Sequence, residues 1–125
     1  QKGMVVVSEN ILVGRVTLVQ KNSSLIQLPV TPGAKIPVVI KRPNQEGVQA
    51  RGLLNSQFIL DRVLVDEDIQ ANDLLVTSGQ ADWPGNLLIG TVNQVLVQKG
   101  HLFQQAQVKP LLDYDNLRIV FVVIK

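Results

Sequence analysis

NLLIGTVNQVLVQKG, residues 86–100, nearly repeats a phrase the chain has already used: NILVGRVTLVQKN, residues 10–22. Laying Asn10 on Asn86 pairs Leu12 with Leu88, Gly14 with Gly90, Val16 with Val92 and Val19 with Val95. Beyond a two-residue insertion, Gln20-Lys21 meets Gln98-Lys99, Gln27 meets Gln105, Val30 meets Val108 and Pro32 meets Pro110. The closing runs correspond too, IPVVI at 36–40 with VFVVI at 120–124. Any β-rich chain alternates Val and Leu. Paired Gly and Pro instead mark backbone geometry, and together they imply one supersecondary unit built twice.

Each phrase carries its glycine inside an apolar run. An isolated strand glycine marks a bulge or bend of the kind a small barrel needs at its corners. Around the two phrases, short apolar runs bounded by turn residues dominate: 5–7, 11–20, 25–30, 36–40, 48–54, 57–65, 74–77, 87–97, 103–111 and 118–124. Helical periodicity is scarce. Residues 57–65 read alternatively as a short helix, and 66–73 as a loop or helical turn. The spacing of the runs predicts an all-β chain, and the repeat divides it into two small β-barrels in tandem, residues 1–66 and 67–125. The boundary near Asp66 is soft, since strands can cross it. Units of this size are marginal alone and are expected to pack on one another.

Composition narrows the function. The chain has 125 residues, 46% of them apolar and only 4% aromatic, a mix that suits strands better than large ligand cages. The net charge is +2, and Lys41-Arg42 is the only adjacent basic pair, a poor footprint for nucleic acid. The absence of cysteine excludes a disulfide scaffold, thiolate zinc and thiol catalysis. No apolar run approaches the roughly 20 residues that span a bilayer. Gln1-Lys2-Gly3-Met4 leads abruptly into a strand, so a membrane anchor, if the protein has one, is expected outside this chain.

Chemistry is sparse. His101 is the only histidine, and a tandem of small barrels invites a chymotrypsin-like triad with Asp113 and Ser78. Ser78, however, sits in Thr77-Ser78-Gly79-Gln80, with no nucleophile elbow around it. Asp66-Glu67-Asp68 lacks the ligand spacing of a calcium loop and reads as a solvated turn. No metal, cofactor or catalytic residue is expected. What remains is surface. Alternation over 103–109 turns Ala106 and Val108 to one face and Phe103, Gln105, Gln107 and Lys109 to the other. Phe103, its repeat counterpart Leu25, and Trp83 in Asp82-Trp83-Pro84-Gly85 are the candidate partner-binding residues. The alternative is that Trp83 and Phe103 plug barrel ends.

These residues resemble the rod shape-determining protein MreC family over nearly the whole chain. Glu9-Asn10-Ile11-Leu12-Val13-Gly14-Arg15-Val16 is similar to its opening strand, and Thr31-Pro32-Gly33 to its Asp-Pro-Gly turn. Arg51-Gly52-Leu53-Leu54 resembles its Arg-Gly strand. Asp73-Leu74-Leu75-Val76-Thr77-Ser78-Gly79 is the most specific match, followed by Trp83-Pro84-Gly85 where the family carries Phe-Pro. Val108-Lys109-Pro110, Asp113 and Leu117 follow the spacing of its closing segment. Asn72 stands where a Gly is usual, Ala81-Asp82 replaces a Gly-rich turn, and Gly85-Asn86 inverts the place of the next Gly.

The resemblance implies two six-stranded β-barrels and no catalysis. It implies a scaffold of the cell-wall elongation machinery on the extracytoplasmic, periplasmic face of the inner membrane. There it would be held by an N-terminal helix and a self-associating coiled coil. The implied partners are the class B penicillin-binding transpeptidase, MreD and the MreB system. The family's contacts form no motif that transfers residue by residue, so Phe103, Trp83 and Leu25 rest on alternation and exposure alone. A tandem-barrel adaptor for a peptide or polysaccharide, and a protease, are the other readings.

Overall fold

The computed structural model of the protein describes residues 3–21, 24–29, 33–42, 50–80, 83–97, 100–112 and 121–123. These form ten strands and no helix. In chain order they are β1 (Val5–Ser8), β2 (Ile11–Val19), β3 (Ser24–Gln27), β4 (Lys35–Lys41), β5 (Arg51–Asn55), β6 (Ile59–Leu64), β7 (Leu74–Ser78), β8 (Gly85–Leu96), β9 (Phe103–Pro110) and β10 (Phe121–Val123). Every run expected from the sequence contains a strand. Residues 57–65 take the extended form rather than the helical one, with β6 entered through a turn at Asn55–Phe58.

Six strands close on themselves in the order β8-β7-β4-β5-β6-β9, with β9 returning to β8. Period-two alternation dictates the filling. β4 sends Ile36, Val38 and Ile40 inward to meet Leu54, Leu60 and Leu75, each 2% exposed or less. Each such side chain stabilises the fold by about 1.5–3 kcal/mol. β10-β1-β2-β3 forms a further sheet against this barrel, joined to it where β2 and β8 run parallel and Leu88 N donates to Asn10 O at 2.7 Å. β1 is a wall between two cores. Val5 and Val7 face the barrel interior with Leu12, while Val6 joins Val13 and Val16 on the other side, covered by Met4, Ile26 and Leu28.

The repeated phrase becomes a repeated strand register. In β2, Gly14 opposes Val6 and Leu12 opposes Val7, which leaves Val13 bulged. Further on, Val16 opposes Ile26 and Leu18 opposes Leu25, which leaves Thr17 bulged. In β8, Ile89 and Asn93 are bulged in the same way, between Gly90–Leu75 and Leu88–Val76 and between Val92–Val108 and Gln94–Gln107. These are the same positions once Asn10 is laid on Asn86. The structural unit is therefore a three-stranded meander, β1-β2-β3 and again β7-β8-β9. The sequence alignment slips in its third strand, where Ile26 rather than Val30 stands in the place of Val108. The β8–β9 turn is longer than the two-residue insertion allowed, and register follows turn and bulge rather than side-chain likeness. Val30 and Pro32 lie outside the described residues.

The closing runs trade places. β4 follows the first meander in the chain yet pairs with β7 of the second, and β10 follows the second yet pairs with β1 of the first. Val39 opposes Val76 as Phe121 opposes Val7, so the IPVVI and VFVVI runs are structural counterparts, two residues from their sequence alignment. A shift of two keeps each side chain on its own face. Residue 66 lies between β6 and β7, and strands from both sides of it close the one barrel. Among the described residues β10-β1-β2-β3 remains a four-stranded sheet, so one closed six-stranded barrel is seen, built from strands of both halves, and not the tandem of two expected from the repeat.

Candidate functional site

The residues of the most specific sequence match serve as structure. Asp73, 7% exposed, takes a bidentate pair from Arg42 at 3.0 and 3.1 Å and a third bond from Gln70 N at 2.8 Å. Arg42 also donates to the main-chain oxygen of Asp68 at 2.5 Å and approaches its carboxylate at 3.4 Å. The hydrogen bond to Asp73, above all, raises the Arg42 pKa beyond its ordinary value. One carboxylate thus pins the turn before β7 to the end of β4. Thr77, buried in β7, donates to Pro84 O at 2.5 Å and accepts from Leu87 N at 3.0 Å, fixing the approach to β8.

That bond also decides Trp83. With Pro84 held by Thr77, the preceding ring turns inward and is only 8% exposed, within the barrel core cluster. The Arg15 guanidinium of β2 lies 4.0 Å from the ring centroid. The exposed Trp83 expected from its turn is therefore corrected: it plugs the core, and it offers a partner almost no surface.

The catalytic constellation does not assemble. Ser78 lies beside the start of β8 with its Oγ buried, and His101 is exposed in the turn beyond the end of β8, so the twelve residues of that strand separate them. Asp113 lies outside the described residues. Among the described residues no three His, Cys, Asp or Glu side chains gather as metal ligands. Asp66, Glu67 and Asp68 are exposed, and Asp68 is engaged by Arg42 and Gln70.

Phe103 and Leu25 do reach the surface, on different hairpins. Leu25, 57% exposed, opposes Leu18 at the β2–β3 tip. Phe103, 39% exposed, opposes Leu64, with Val65 and Leu102 exposed alongside. Beneath this second patch lies Gln104, a buried polar residue that the sequence reading passed over. Its Nε2 donates to Leu64 O at 2.9 Å and Glu67 O at 2.8 Å, so the turn carrying Leu64 and Val65 is held from inside the barrel. The alternation that put Phe103 outside already assigned Gln104 inside, and a glutamine at an inward position was the available signal. Above it opens a cleft of about 210 Å³, lined by Asp61, Leu96, His101, Leu102, Phe103 and Gln105.

The chain matches the family model of rod shape-determining protein MreC, barrel core, over residues 1–124. Among solved structures it is similar to MreC from Pseudomonas aeruginosa, 25% identical, with a TM-score of 0.82 over 99% of this chain and 81% of that one. It is also similar to a structure of the complex between penicillin-binding protein (PBP2) and MreC from Helicobacter pylori. There the identity is 21% and the TM-score 0.72, over 94% of this chain and 74% of that one. A third likeness is to the major periplasmic domain of the cell shape-determining filament MreC, 21% identical, with a TM-score of 0.70 over 90% and 71% of the two chains. No curated protein sequence matches it. The family match takes in both meanders and both exchanged strands: the chain belongs to the family of rod shape-determining protein MreC.

Proposed function

We propose that this barrel unit is a non-catalytic scaffold of the bacterial cell-wall elongation machinery. It maintains rod shape by docking a class B penicillin-binding transpeptidase on the face around Phe103. The observation that carries this reading is the apolar patch of Phe103, Leu64, Val65 and Leu102, buttressed from within by Gln104. Exposed apolar groups on a rigid support are what binding hot spots are made of. The likeness to an MreC in complex with PBP2 supports the choice of partner. Leu25, with Leu18 and Val19, forms a second exposed surface that would serve self-assembly, and MreD and the MreB system are further partners of the assembly. The unit works on the extracytoplasmic face of the inner membrane, in keeping with the periplasmic domain it resembles. Its four-stranded sheet belongs to a second six-stranded barrel, a reading supported by the shared meander and bulges.

Interferometry with the extracytoplasmic part of the same organism's class B transpeptidase tests the reading. Binding at micromolar or lower Kd, weakened at least tenfold by Phe103→Asp in a folded variant, is expected. Unchanged affinity in that variant removes Phe103 from the interface. No binding at high concentration removes the partner from this unit.

A further inference from the structure

β6 carries a bulge at Asp61 and Arg62 that turns both Leu60 and Val63 into the barrel core. Leu60 opposes Ala106 and Val63 opposes Gln104, so both Asp61 and Arg62 stand against the single residue Gln105. Arg62 takes a left-handed φ of 61°, a conformation that favours glycine. The Asp61 carboxylate accepts from Arg62 N at 2.8 Å and so holds the bulge in shape. The outcome is that Asp61 lines the cleft beside Phe103, half-buried and without an ion pair among the described residues. Beyond that packing, the bulge re-aims Asp61, as bulges beside sites do.

The shape of the cleft narrows its occupant. At about 210 Å³ it lies below the roughly 300–1,000 Å³ of small-molecule and cofactor sites. It has room for one large side chain. Leu96, Leu102 and the exposed ring of Phe103 form apolar walls, and Asp61 puts a carboxylate among them with the Gln105 amide beside it. An aliphatic stem that ends in a cation satisfies both halves, its methylenes on the leucines and its charge between the carboxylate and the aromatic face.

We propose that this cleft receives a lysine or arginine side chain presented by an extended or looped segment of the docking partner. The claim rests on the reading that the Phe103 face docks a transpeptidase and adds the chemistry of the inserted residue. Phe103 supplies area, and Asp61 supplies the choice of a basic over a neutral side chain.

The test uses amide spectra of the whole chain titrated to millimolar concentration with the capped tripeptide acetyl-Leu-Arg-Leu-amide. Its citrulline counterpart, which has the same shape without the charge, is the control. The expected result is saturable shifts at Asp61, Phe103 and Gln105 with the arginine peptide, about tenfold weaker with citrulline. Asp61→Asn, which still caps Arg62 N, is expected to erase that difference. Equal response to the two peptides, no response to either, or shifts at these residues with chitotriose instead overturns the proposal. The transpeptidase measurement then separates the two claims. Loss of affinity in Phe103→Asp but not in Asp61→Asn keeps the docking face and discards its basic occupant.

Discussion

Gly14 and Gly90 hold the same place in the two meanders, each directly under a main-chain oxygen of the following strand, Gln27 O above Gly14 and Lys109 O above Gly90. Neither has a positive φ, so what these positions require is room rather than backbone freedom. A Cβ at either would collide with backbone, which cannot swing aside as a side chain can. Gly14→Ala and Gly90→Ala are each expected to lower unfolding stability by about 3 kcal/mol. Gly100→Ala, where φ is +83° and nothing lies within 4 Å, is expected to cost only about 1 kcal/mol. Urea denaturation midpoints check the contrast, and equal losses at all three positions would dismiss the packing explanation.

Gln104→Leu keeps the volume of the side chain and removes both of its bonds to the 64–67 turn. Two carbonyls lose their buried donor, an expected loss of about 2 kcal/mol. Amide exchange at Glu67, whose N–H bonds Leu64 O at 3.0 Å, should quicken before global unfolding. Wild-type exchange in this variant would mean that the turn holds itself.

Arg42→Met leaves the buried Asp73 carboxylate without its fork and is expected to cost about 2–3 kcal/mol. The sign of its pH dependence follows from the raised Arg42 pKa. Stability from a raised pKa is complete below the unfolded value and is lost only as pH climbs through the higher folded one. Wild type and Arg42→Met should therefore differ by a constant amount from about pH 7 to 10. A gap that narrows with rising pH in this window would contradict the assignment.

Residues 1–66 and 67–125 expressed apart are each expected to stay unfolded, since β4 lacks β7 in one and β10 lacks β1 in the other. Mixed, they should recover the β signature by circular dichroism and elute together on size exclusion. A dispersed amide spectrum from either piece alone would show that exchanged strands are dispensable.

The strands were legible because short Val- and Leu-rich runs between turn residues have few other outcomes, and even the strand crossing was left open. Phe103 could be placed outside because alternation over 103–109 is unbroken. Trp83 could not be placed. Its turn residues say nothing of Thr77, which holds Pro84 from the strand before, or of Arg15, which arrives from β2 and covers the ring. The β6 bulge escaped for a similar reason: Asp61-Arg62 contains no glycine, the usual mark of a left-handed position. The slip in the repeat alignment came from matching side chains where turn length set the register.

Val5 finds its partner in Val123, almost the full length of the chain away. Pairings so distant in sequence form late, because the intervening chain must surrender its freedom before the bond returns anything. Folding is accordingly expected on the slow, millisecond-to-second side for a chain of this size. Until β10 emerges and settles, β1 presents an unsatisfied edge, and any neighbouring copy with a free β10 is an equally good match. The crossing that knits the two halves into one body thus sets a deadline as well. Assembly must outrun encounters with other nascent copies, and dilution favours the correct product.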